Sequence, residues 1–150
     1  MYEKKNIKFH SELINFNKVS EISSKLATYP NVRRILLKKQ KLLRCLPGLI
    51  AEGRDMGTVV FPDAIVKFFL NAHLEIRVKR RMSELKKNGF FISFQELFIE
   101  MRNRDIQDEN RLISPLSVPK NAIILDSSYM NLSEVVTAFM KSIIPKIKIQ

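Results

Sequence analysis

Three short stretches of the chain are almost continuously apolar and are bounded by polar or turn residues: 48–51, 65–70 and 122–125. Unbroken apolarity, in place of strict alternation, is the pattern of strands buried on both faces of a parallel sheet. Between these runs the apolar residues recur with helical period. Pro30 suits a first helical position, and Val32, Ile35, Leu36, Leu43 and Leu46 form one stripe that Pro47 and Gly48 bring to an end. Ser93 and Glu96 have capping-box spacing ahead of Phe94, Leu97, Phe98 and Met101. A last helix is expected near Asn131, with Leu132, Val135, Val136, Phe139, Met140 and Ile143 on one face. Residues 74–87 have helical propensity but carry charge nearly all round, which predicts a mobile, solvent-facing arm. Residues 1–16 give no element. Helices alternating with buried strands define an α/β layered fold with parallel strands, in which ligands bind beyond the carboxyl ends of the strands.

Composition narrows the class without changing that picture. At 150 residues, 45% hydrophobic and 27% charged, the chain has the make-up of a single globular domain with a real core. No run of about 18 apolar residues is present to span a bilayer, and residues 1–8 have no apolar stretch behind their charges, so a secretory signal is not expected. A lone cysteine, Cys45, rules out an internal disulfide or a cysteine-based zinc site, and its place at the end of a stripe reads as packing. These features point to the cytosol. The net charge of +11 calls for an anionic partner. Residues 1–47 hold eleven Lys or Arg against three Glu, so most of the excess lies there. No stacking aromatics interleave with that charge and no nucleic-acid-binding signature accompanies it, so nucleic acid is not the expected partner.

Chemistry concentrates in two places. The run E-G-R-D-M-G-T at 52–58 follows the first expected strand, where a ligand crevice should open. There Arg54 could grip a phosphate and Asp55 could accept from an amine or a sugar hydroxyl, or the two could form a local surface pair. Arg104, Asp108 and Arg111 are spaced to share one helical face, either as a grip on a sugar and its phosphate or as a solvated ion-pair ladder. Arg77, Arg80 and Arg81 pose a similar choice between a clamp over a polyphosphate and a solvated face. The spacing G-x-x-x-x-G at 48–53 lacks the Lys and Ser or Thr of a phosphate loop. His10 and His73 have no partner at metal-ligand spacing, and no metal site is expected on them.

The string L-P-G-L-I-A-E-G-R-D-M-G-T-V-V-F-P-D-A at 46–64, the upstream Y-P-N-V-R at 29–33, and the downstream R-D-I-Q-D-E-N-R at 104–111 together resemble the bacterial cytidylate kinase family. Members of that family phosphorylate CMP and dCMP with ATP and Mg²⁺. The resemblance implies a P-loop nucleoside monophosphate kinase fold. It places Ser24, Arg33 and Asp55 on cytosine, Asp108 and Arg111 on the pentose, and Arg104 on the CMP phosphate. Arg77 and Arg81 would belong to a lid over the ATP phosphates, while Arg80 receives no role. It also implies a partial kinase domain: 1–47 the remainder of the CMP-binding insert, 48–72 core strands, 73–103 lid and flanking helices, and 104–150 the sugar and phosphate segment with the last strand and helix. In the family the phosphate loop and its central strand precede the matching region, and these residues do not contain them. The expectation is therefore an N-terminally truncated kinase, inactive alone, whose N-terminal part comes from another chain, another reading frame or an omitted segment. The alternatives are a degenerate non-catalytic product or a basic anion-binding or nucleic-acid-binding protein.

Overall fold

The computed structural model describes residues 22, 23 and 25–147. Helix α1, Pro30–Leu42, is followed by a π-helical turn at Met56–Val60, then strand β1, Phe68–Asn71. Helices α2, Leu74–Lys87, and α3, Phe94–Asn110, cross over to strand β2, Ile123–Asp126, and the chain closes with α4, Leu132–Ile147.

β1 and β2 pair in parallel, with Phe68 opposite Ile123 and Asn71 opposite Asp126. Parallel neighbours need a long crossover, and α2 and α3 supply it. The α/β class is therefore as expected, and the last two strands fall within three residues of their apolar runs. The first expected strand does not form. Residues 48–51 belong to no helix or sheet, and Ile50 is fully exposed. Apolarity alone does not make a strand; a neighbouring backbone must take its hydrogen bonds. The other two are not buried on both faces either, since Leu70 and Ile124 are more than half exposed. One face is covered by α4, whose Phe139 ring lies 4.4 Å from that of Phe68.

The densest packing lies between α2 and α3, where Val78, Leu85 and Leu97 are buried and Leu74, Met82, Ile92, Phe94, Phe98 and Met101 surround them. This corrects the reading of 74–87 as a free arm. Leu74, Val78, Met82 and Leu85 recur at four, four and three residues, a narrow seam sufficient for one partner helix even with charge on the remaining faces. Helix α2 ends in a Schellman motif: the Phe90 N–H donates to Leu85 O at 2.9 Å, and the Gly89 N–H to Lys86 O at 3.1 Å. Gly89 takes the left-handed conformation that motif requires, φ 81°. Helix α3 opens on the expected capping box. The Glu96 N–H donates to Ser93 Oγ at 3.1 Å, and Glu96 Oε2 accepts from the Ser93 N–H at the same distance. Asn131 and Glu134 make the equivalent reciprocal pair ahead of α4, at 2.7 and 3.0 Å.

Helix α1 has Pro30 at its first position but ends at Leu42, four residues short of the expected stop, and buries none of its residues. Leu46 is exposed and so is Cys45, which is not a packing residue. Ile35, Leu36, Leu43 and Leu46 of the stripe that suggested the longer helix are exposed, so little burial holds its last turn.

Candidate functional site

The segment that precedes β1 builds the site. The Asp55 carbonyl accepts from the N–H groups of Thr58, Val59 and Val60 at 3.3, 2.9 and 3.2 Å, winding the chain into the π-helical turn. Val60 and Phe61 anchor that turn in the interior. Gly57 admits a close neighbour, because a Cβ built there would lie 2.8 Å from Cγ of Pro119, in the loop ahead of β2. Asp55 is thereby held at 8% exposure. Its Oδ2 accepts from Nη2 of Arg33 on α1. A carboxylate offers about four acceptor positions, so this bond leaves capacity for a further donor.

Arg54 does not pair with its neighbour Asp55, which removes the local-pair reading. Its Nε donates instead to Oδ2 of Asp108 on α3, at 2.7 Å. Asp108 is buried, at 4% exposure. It is also approached by Arg111 Nη1 at 3.7 Å and Arg104 Nε at 4.0 Å. Three guanidinium groups around one carboxylate leave a local excess of two positive charges, which suits a doubly charged phosphate. Arg111 is not within the helix as the spacing suggested. It is the extended C-cap residue, φ −65° and ψ 140°. Its side chain still returns to Asp108 because Nε donates to Ser114 O at 2.5 Å, and Ser114 takes a left-handed conformation, φ 51°. Arg111 Nη2 is buried with no hydrogen-bond partner among the described residues. A guanidinium N–H shut off from water without an acceptor is costly.

The consecutive residues Arg54 and Asp55 thus tie together two constellations that look unrelated in sequence, one on α1 and one on α3. The α2 arginines stand apart from both. Arg77 donates from Nη1 and Nη2 to the two carboxylate oxygens of Asp105 at 3.1 and 2.6 Å, and from Nε to Ala72 O at 3.0 Å. Arg81 pairs with Glu84 one turn on, at 2.8 Å. Arg80 reaches the loop after β2, donating to Ser127 O at 2.5 Å and Met130 O at 3.0 Å. Ser24 lies outside the described residues. Sequence reasoning missed Asp105 and the contact of Arg54 with Asp108, for which separations of 28 and 54 residues leave no local periodic signal.

At the carboxyl end of β2, Asp126 accepts from Ser128 Oγ at 2.6 Å and from the Ser128 N–H at 2.8 Å. These bonds, aided by nearby His73, hold its carboxyl below the ordinary value of 3.8. Two shallow hollows, of about 320 and 230 Å³, lie along α4 and at the turn between α2 and α3, and neither is lined by Asp55, Asp108 or the arginines above. The site is an open, charged surface. Among the described residues no three His, Cys, Asp or Glu side chains converge where a metal ion could sit, and no helix is long and apolar enough to cross a membrane.

A family model described as cytidylate kinase matches residues 2–145. The chain is 48% identical over 118 residues to the cytidylate kinase of Proteus mirabilis, covering 79% of this chain and 52% of that protein. It is 45% identical over 130 residues to that of Aeromonas salmonicida, covering 87% and 56%. The figure is 50% over 118 residues for that of Erwinia tasmaniensis, covering 79% and 52%. The chain thus spans about half the length of the curated relatives it matches. With a matched model over residues 2–145 and 45 to 50% identity to these relatives over most of its length, the chain belongs to the cytidylate kinase family.

Proposed function

We propose that this chain provides the acceptor-nucleotide site of a cytidylate kinase, which transfers the γ-phosphoryl group of ATP to CMP or dCMP. The observation that carries the reading is the buried Asp55–Arg33 pair, joined through Arg54 to the arginine cluster on Asp108. Cytosine presents an exocyclic amine, which a carboxylate accepts, and uracil presents a carbonyl oxygen at the same place. Asp55 therefore favours cytosine, and Arg33, held beside it, donates to the acceptor edge of the ring. Asp108 and Arg111 contact the pentose, with Arg111 Nη2 as the waiting donor. Arg104, 45% exposed at its side chain, contacts the phosphate.

In this arrangement the chain's own residues orient the acceptor phosphate and offset its charge, so that an oxygen of CMP can approach the transferring group in line. Arg77 and Arg81 on α2 would close on the donor's phosphates. Magnesium, when bound, spreads charge on those phosphates, and such an ion typically needs only one or two protein carboxylates; no residue is assigned to it.

Calorimetric titration tests the proposal. CMP should bind, and UMP should bind at least about tenfold more weakly, because its carbonyl would face a carboxylate. Equal affinity for the two nucleotides, or binding of neither to a folded sample, would sink it.

A further inference from the structure

The three arginines of α2 are held in different ways. Arg80 donates to neutral acceptors, the carbonyls of Ser127 and Met130 and the Ser127 hydroxyl, and so ties the helix to the loop after β2. Arg81 pairs with a surface neighbour on its own helix, Glu84. Arg77 is the exception, because Asp105 closes its fork with two parallel hydrogen bonds. A bidentate carboxylate occupies the same guanidinium face that two phosphate oxygens would take. The third bond, from Nε to Ala72 O, fixes the plane of the group and leaves that face directed at Asp105.

We propose that Asp105 is an internal anion that holds Arg77 in reserve, so that a polyphosphate binds at α2 by displacing Asp105 from it. The proposal rests on the kinase reading, in which Arg77 serves the donor's phosphates. The exchange is chemically balanced: two oxygens leave the fork, two enter, and no guanidinium N–H is stranded. It is also feasible energetically. The two side chains are 32% and 24% exposed, so water screens the pair and rehydrates the released carboxylate. Asp105 lies next to Arg104 and three residues before Asp108. The same turn of α3 therefore serves the acceptor site and the latch. Asp105 contacts no reacting group and is a positioning residue.

The test is a double-mutant cycle read by calorimetry with inorganic tripolyphosphate at low ionic strength, on the chain and its Asp105→Asn, Arg77→Gln and combined variants. Asp105→Asn should bind about fivefold tighter, the upper end for an exposed pair, and Arg77→Gln should bind more weakly. In the Arg77→Gln background the Asp105 change should shift affinity by less than about twofold, since coupled pairs lose their interaction together. An equal gain with and without Arg77 would mean only a general charge effect, and weaker binding by Asp105→Asn would mean that Asp105 helps the anion to bind. Either result overturns the latch, as does absence of tripolyphosphate binding. A parallel CMP titration separates the two ideas. A chain that binds CMP but fails the cycle loses the latch alone, and a chain that passes the cycle without binding CMP loses the kinase reading.

Discussion

Asp108 is the residue on which the proposed acceptor site depends. One buried carboxylate faces Arg54, Arg104 and Arg111, and its loss would leave Arg111, 10% exposed at its side chain, with little to offset its charge. Replacement by Asn should cost about 1 to 3 kcal/mol, well short of a fully buried ion pair because Arg54 and Arg104 are both more than 40% exposed and can turn to water. Thermal denaturation checks this. Arg104→Met should behave in the opposite way, with nearly unchanged melting and weaker CMP binding, because an exposed pair at 4.0 Å stabilises little. A drop in melting with intact affinity would make Arg104 a structural residue. At this scale the sequence singled out residues but did not show their partners. Arg54 and Asp55 stood out as a charged, glycine-punctuated turn, yet each bonds to a helix far away along the chain, and no local rule connects them.

Elements were most legible where capping chemistry is local. Ser93 and Glu96 lie three residues apart, and their reciprocal bonds form from that spacing alone. Ser93→Ala should lower the melting temperature by about 2 to 4 °C, the usual scale for one lost cap in a chain this long. The Ser93 hydroxyl, then its backbone N–H, hold the Glu96 carboxyl below its ordinary value of 4.5. A lowered folded-state value means that this part of the stability is present above the ordinary glutamate value and is lost as pH falls through the lowered one. The melting difference between parent and Ser93→Ala should therefore shrink in acid, as a pH series of melts would show. Helix α2 was harder to read because its seam is one residue wide and charge surrounds it. The π-helical turn was invisible for a different reason: it depends on Val60 and Phe61 finding the interior and on Gly57 meeting Pro119. Gly57→Ala should thus be destabilising by about 1 to 3 kcal/mol, since neither the turn nor the proline ring yields easily. Denaturant melts read that cost, and no loss of stability would mean that the contact is slack.

Across the described residues burial is uneven. The α2–α3 pair contains Val78, Leu85 and Leu97, while the sheet has two strands and leaves Leu70 and Ile124 more than half exposed. Two-stranded sheets are marginal without a covering layer. Amide exchange should therefore be slowest around Val78, Leu85 and Leu97 and faster in β1 and β2, and equal protection would contradict that ranking. The α/β class was legible because two apolar runs did become parallel strands. The run at 48–51 misled because its pairing requires a neighbouring backbone that no periodicity within the run can reveal. The proposed acceptor site is built on a turn pinned to α1 by Asp55 and to α3 by Arg54. A crystal structure of the chain with CMP tests that account most directly. It should place the cytosine amine within hydrogen-bond distance of the Asp55 carboxylate, the pentose against Asp108 and Arg111, and the phosphate on Arg104. CMP bound elsewhere, or bound here with its base turned away from Asp55, would contradict it.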